Sequence, residues 1–212
     1  MFNKENNEED TLNFFSWSSS FDSTVVVDDV VYPNRYNITL SFIPKTKEIS
    51  QQNIGFEKIK YLIQRLCENA VIFSPMDKTQ AYWFKMPVNK ILLPGSPYDQ
   101  LLAVVLFQKI ESIAGKYFHF GHLTVDSKLG DSVKYTVDKS SYENKHLDIT
   151  NWMDSDINPW WNRNDTATFD QRIDAKHIWT GGSTWEELGY ESGTETKAKS
   201  FNPTVIDGGR KK

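Results

Sequence analysis

Cysteine is almost absent. Cys67 is the only one in 212 residues, which excludes an intrachain disulfide framework and any cysteine-rich zinc module. Histidine is nearly as scarce at four residues, and only His119 and His122 lie close together. No apolar run approaches the length of a membrane span, and the opening MFNKENNEED has no signal-peptide core. The expectation is a soluble intracellular protein, with a virion as a further setting and no membrane partner. Hydrophobic residues make up only 39% of the chain, so some segments are not expected to bury themselves. The patterns GxSxG, HExxH, Walker A and CxxC are all missing.

Charge is present but uneven. Residues 1–29 carry seven acids against Lys4 alone, residues 30–137 carry an excess of bases, and residues 138–212 are again acidic. A basic middle between acidic arms has two readings. The arms fold back on a core, or a basic face including Lys45, Lys47, Lys58, Lys60, Arg65, Lys78, Lys85 and Lys90 meets nucleic acid.

The most self-consistent stretch is Ser96 to Thr136. Leu102, Val105, Leu106, Lys109, Ile110 and Ile113 recur at helical spacing, Ser96 or Asp99 can cap the helix, and Gly115 ends it. Residues from Phe118 to Asp126 then alternate as a strand, and Val133, Tyr135 and Val137 supply the return strand. Upstream, Thr24–Val31 reads as a strand, Tyr32–Arg35 as a turn and Tyr36–Phe42 as a second strand. Gly55–Asn69 is a second amphipathic helix with Phe56, Ile59, Leu62, Ile63 and Leu66 on its buried stripe. Residues 71–84 form an ambiguous insert. The predicted fold class is α+β: a ββααββ core over residues 21–137, with a four-stranded antiparallel sheet and two helices on one face. Residues 1–20 are an acidic N-terminal arm. Residues 138–212 are a long, irregular C-terminal extension, with one short helix capped by Ser183 or Thr184, completed by Glu186 or Glu187 and ended by Gly189.

The element order, with four short motifs, resembles the tunnelling fold of the 6-pyruvoyl-tetrahydropterin synthase family. Gly55-Phe56 with Ile59-Lys60 resembles that family's Asp-Phe-x-x-Leu-Lys, and Pro97 with Leu102-Ala103 resembles its Pro-Thr-x-Glu-Asn-Leu-Ala. Val125-Asp126-Ser127 resembles its Tyr-Glu-Thr, and Tyr36 the tyrosine of His-Gly-His-Asn-Tyr. The resemblance implies a pterin or purine ligand with Asp126 as its anchor. It also implies zinc, but Tyr32 and Asn34 stand where the two histidines of that motif belong, and the family's nucleophilic cysteine and catalytic histidine have no counterpart. The expectation is a fold without its chemistry and without a cofactor.

Among local constellations, His122, Thr124 and Asp126 share one strand face, so His122 and Asp126 are the candidate ligand-binding pair. Cys67 reads as a buried apolar residue, and His146 and His177 as solvated ones. The aromatic side chains outside the core, Trp17, Trp152, Trp160, Trp161, Trp179 and Trp185, are candidate anchors for a protein partner or a neighbouring copy, and the chain's own core is a further surface for those of the extension. The leading expectation is therefore a non-catalytic structural protein, a homo-oligomer joined through its sheet edges with arms docked on neighbours or on a protein partner. A pterin- or purine-binding protein is the alternative, and nucleic-acid binding by the basic core is the third.

Overall fold

The eight residues Thr24–Val31 do not run on as one strand but fold back on themselves. Asp28 and Asp29 have φ of 51° and 64°, the left-handed pair that a two-residue hairpin turn requires and that aspartate tolerates. In the computed structural model, which describes residues 15–139, 158–172 and 178–190, this turn joins β1 (Phe15–Val27) to β2 (Val30–Pro44). The two strands pair from Val27↔Val30 to Phe15↔Phe42. The turn expected at Tyr32–Arg35 is thus strand. Pro33 is tolerated there because β2 acquires its second neighbour only from Tyr36 onward, so the missing N–H breaks no ladder on that side. β1 also begins inside the stretch expected to be an arm.

After β2 come α1 (Ile49–Tyr61), which continues as a π-helical stretch over Leu62–Cys67, then β3 (Ala70–Phe73), α2 (Gln80–Lys85), β4 (Lys90–Leu92), α3 (Asp99–Ala114), β5 (Phe118–Ser127) and β6 (Tyr135–Asp138). The molecule is a mixed α+β structure with a six-stranded sheet in the order β4-β3-β1-β2-β5-β6. That corrects the expected four-stranded antiparallel sheet, because β3 and β4 join the β1 edge in parallel. Both are short apolar runs buried on two faces, with no period to betray them as strands. Ala70, Ile72 and Ile91 belong to the main core, whereas Val71, Phe73 and Leu92 form a second cluster with Val26 and Phe169.

The main core lies between the sheet and the helices. All six residues of the predicted stripe on α3 are buried, but so are Ala103, Val104, Phe107 and Ala114 on its other sides. The extra cover comes from the C-terminal extension, whose 3-10 turn Trp160–Asn162 packs on α3. Gly55 allows α1 to lie against the start of β5, since a Cβ there would come within 2.7 Å of both Tyr117 and Phe118. Lys58, expected on the outside, is buried, with its ammonium over the rings of Tyr117 and Trp185 at 5.6 and 5.1 Å.

A bulge decides which way β5 faces. Leu40 pairs with Leu123 and Phe42 with Phe120, so Ser41 alone opposes Gly121 and His122. Phe118 and Phe120 point to the core before the bulge, and Leu123, Val125 and Ser127 after it. Further on, β7 (Asp170–Arg172) pairs with β8 (Ile178–Thr180). Thr184 and Glu187 then form a reciprocal capping box, at 2.9 and 3.2 Å, around a single turn that Gly189 closes at φ 80°.

Candidate functional site

The inner face of the first hairpin is apolar over most of its length. Near the Asp28-Asp29 turn it changes character. Ser23 pairs with Asn34 across β1 and β2, and Tyr36 pairs with Ser127 across β2 and β5. All four are buried. Asp99, the first residue of α3, packs over the same spot, close to the Ser127 hydroxyl. The result is a polar patch at one end of an otherwise apolar layer.

A cleft of about 500 Å³ opens onto this patch, between the hairpin, the β5–β6 turn and the N-terminal end of α3. Its floor includes Asn34, Tyr36 and Asp99, and its walls include Val25, Val27, Tyr32, Pro97, Tyr98 and Leu129. The floor has unused hydrogen-bonding capacity. Among the described residues five buried side-chain polar atoms lack a partner, and two of them, Asn34 Nδ2 and Tyr36 Oη, belong to the floor, while a third, Ser23 Oγ, belongs to a residue that does not line the cleft. Each such atom costs about 1–3 kcal/mol unless something pairs with it.

The orientation of Asn34 is fixed. Its Oδ1 accepts hydrogen bonds from the backbone N–H groups of Leu129 and Arg35, both at 3.0 Å, which leaves the amide N–H groups unused. The Tyr36 ring stacks on Phe21 at 5.1 Å. Burial pushes the Tyr36 hydroxyl far above its ordinary pKa. The nearby Asn34 amide opposes that shift, though the two groups do not meet hydrogen-bond geometry, and Asp99 adds to it. Burial also raises the Asp99 carboxyl, which the nearby Ser127 hydroxyl lowers and the Asp126 charge raises further. The floor is therefore a set of donors beside one half-buried acid. Zinc does not fit it, because Asn34 turns its N–H groups rather than its oxygen to the unpaired side. Among the described residues no group of three His, Cys, Asp or Glu side chains is placed to hold a metal ion.

The residues singled out from the sequence lie elsewhere. Asp126 and His122 do share a face, but it is the outer one, away from the helices. Asp126 accepts a hydrogen bond from Asn37 Nδ2 at 2.8 Å, and His122 Nδ1 lies 2.9 Å from Ser41 Oγ. Neither lines the cleft. Trp160, Trp161 and Trp185, expected to dock on a partner, are 0%, 1% and 2% exposed within their own chain. Trp160 donates its indole N–H to Leu92 O, and Trp185 meets Tyr61 and Tyr190 edge-on. These side chains found enough apolar surface on α3 and α1 to bury themselves. Trp17 is half-buried in β1 against Phe56. Trp179 lies in β8, and Trp152 lies outside the described residues.

Of the expected basic face, Lys45, Lys47, Arg65, Lys78 and Lys85 are exposed, and part of the rest is used within the fold. Lys58 and Lys90 are buried, the latter donating to the carbonyls of Met86 and Val88. Lys45 donates to Gly115 O, while Lys60 and Lys78 are paired with Glu57 and Asp29. Cys67 is fully buried, and burial pushes its thiol far above the ordinary value. No helix among the described residues is long and apolar enough to cross a membrane.

Sequence reasoning passed over Ser23, treated Asp99 only as a helix cap and treated Asn34 only as a missing histidine. The signal was two polar residues interrupting the inward series Phe21, Ser23, Val25 and Asn34, Tyr36, Ile38.

No protein-family model and no curated protein matches the chain. Among solved structures it is similar to an uncharacterized protein from Wolinella succinogenes. The two are 7% identical with a TM-score of 0.41, and the match covers 60% of this chain and 99% of that one.

Proposed function

We propose that the chain is a non-catalytic building block that assembles with copies of itself through the edges of its sheet. The observation that carries this reading is the pair of open edges on opposite sides of the antiparallel strands. β6 has β5 on one side and no strand on the other among the described residues. β1 is longer than its neighbour: β3 covers only Ser23–Val25, so Phe15–Phe21 has β2 on one side and no second strand. The remaining edge, β4, is closed by the C-terminal extension, where Leu92 N donates to Thr168 O and the Thr168 hydroxyl donates to Lys90 O. Open edges recruit strands. Two different edges on one subunit make a head-to-tail contact, which closes into a ring when the rotation allows.

The outer face of β1, β2, β5 and β6 fits such a ring. Its side chains pair among themselves: Ser18 with Thr39, Asn37 with Asp126, Ser41 with His122, and Thr124 with Thr136. That is a wet, self-satisfied surface rather than a docking face. In this reading β1-β2-β5-β6 with α1 and α3 is a tunnelling-fold-like core, and β3 and β4 are this chain's own addition to it.

Native mass spectrometry of the full chain tests the reading. A homo-oligomer is expected, and the double variant Ser18→Lys, Thr136→Lys, which puts a lysine on each open edge, is expected to run as a folded monomer with an unchanged circular dichroism spectrum. A wild-type chain that stays monomeric at assay concentrations overturns it.

A further inference from the structure

We infer that the cleft between the first hairpin, the β5–β6 turn and the start of α3 binds a small neutral molecule bearing an amide, with its carbonyl oxygen on Asn34 and Tyr36 and its N–H on Asp99. Nothing in the assembly reading calls for this site, and it stands on separate observations.

The first is spare donor capacity at a dry location. Asn34 is 4% exposed and Tyr36 is 0% exposed, yet Asn34 Nδ2 and Tyr36 Oη have no partner although both residues line the cleft. Buried donors without acceptors are uncommon, and a cleft lined by the same two residues is where an acceptor can arrive. Both groups are held in place, Asn34 by the backbone N–H groups of Leu129 and Arg35 and Tyr36 by the stacked ring of Phe21.

The second observation is charge. Among the described residues Asp99 is the only acid lining the cleft, and no lysine, arginine or histidine does so. A phosphate or carboxylate would meet donors but also an uncompensated acid, so an anion is disfavoured. An amide presents an acceptor and a donor side by side, matching Asn34 and Tyr36 on one side and Asp99 on the other.

The third is the mouth. Tyr98, Leu129 and Tyr32 are 60%, 49% and 40% exposed around the opening. A flat apolar body attached to the amide would cover them, as ligand clefts with a few fixed polar groups commonly require.

Benzamide is the minimal probe and benzoate its charged counterpart. Titrated into the full chain, benzamide is expected to shift the Asn34 side-chain NH₂ resonances and to raise the melting temperature, while benzoate does neither. Asn34→Asp keeps the oxygen that holds Leu129 and Arg35 but removes the donor, and is expected to abolish binding. Tyr36→Phe removes only the unpartnered hydroxyl and is expected to weaken benzamide about fivefold without lowering the melting temperature of the free protein. No response to benzamide up to its solubility overturns the inference. So does equal binding of benzoate, or a Tyr36→Phe variant that binds benzamide as tightly as the parent.

Discussion

The two ends of α3 each meet a cluster of buried polar groups, and the clusters are built differently. In the second half of the helix, Lys109 is completely buried and its ammonium donates to Trp160 O, Arg163 O and Asp165 Oδ1 at 2.9, 2.8 and 3.0 Å. Arg163 bonds Asp165 and Asp170, and Asp170 accepts the backbone N–H of Trp160. One atom of that network, Arg163 Nη2, lacks a partner. At the N-terminal end, Ser23, Asn34 and Tyr36 are equally buried, and each keeps an atom unpaired. Burial of polar groups is the same in both places, but satisfaction is not. The wired cluster ties the C-terminal extension to the core, whereas the unwired one faces a cleft. A polar group whose bonds are complete reads as scaffold, and one with bonds to spare reads as a site.

The largest expected effect comes from cutting the wired end. Trp160→Ala removes a buried indole and its bond to Leu92 O, and is expected to cost about 3–5 kcal/mol in chemical denaturation. The described part of the extension that begins at Asn158 therefore behaves as part of the fold, and a chain truncated before it should not keep the parent's stability.

Next is Lys109→Met, which takes the Lys109 donor from two carbonyls and from Asp165, while Asp165 keeps the Ala167 N–H and Arg163. Because the Asp165 side chain is 22% exposed, the loss is set at the low end for a broken buried pair, about 3 kcal/mol. The pH dependence of the same residue sharpens the contrast. Burial pushes Lys109 down from the ordinary lysine value of 10.5 to about 8, with attraction from Asp165 opposing the shift. Between those values the unfolded chain holds a proton that the folded chain has released, so this group's contribution to stability rises with pH across the window. Denaturation midpoints on either side of it should show the rise in the parent and lack it in Lys109→Met. Asp165 itself is expected to stay ionised through this range: burial would raise its pKa, but Lys109, the Ala167 N–H and Arg163 together hold it below the usual carboxylate value.

Much of the wired end was legible from the sequence, because α3 carries a strong helical period from Leu102 to Ile113 and a terminal Gly115. The short helix expected at Ser183 or Thr184 is only a single turn, with Thr184 and Glu187 as its capping pair and Gly189 at its end. What covers the outer side of α3 was not legible. Trp160 and Trp161 sit in a segment without periodicity, and such residues reveal their surface only once the chain has folded around them. The unwired end was hidden by a single misplaced turn. Pro33 advertised a bend, while Asp28 and Asp29 sat inside a run of valines that looked like one strand. Only the true register sets Ser23 against Asn34 and brings Tyr36 beside Ser127 and Asp99. The β5 bulge had a similar effect on Asp126 and His122, since one extra residue reverses the faces of everything after it.

The smallest effect is also the most telling. Tyr36→Phe deletes a buried hydroxyl that has no partner, so the free protein is expected to lose no stability and to gain up to about 1 kcal/mol. Measuring the unfolding free energies of Tyr36→Phe and Lys109→Met side by side at neutral pH tests the division between spare and structural polar groups most directly. The account predicts opposite outcomes, a loss of about 3 kcal/mol for Lys109→Met and no loss for Tyr36→Phe. A Tyr36→Phe variant destabilised by about 1 kcal/mol or more would contradict it, because the hydroxyl would then be holding the fold rather than waiting for a ligand.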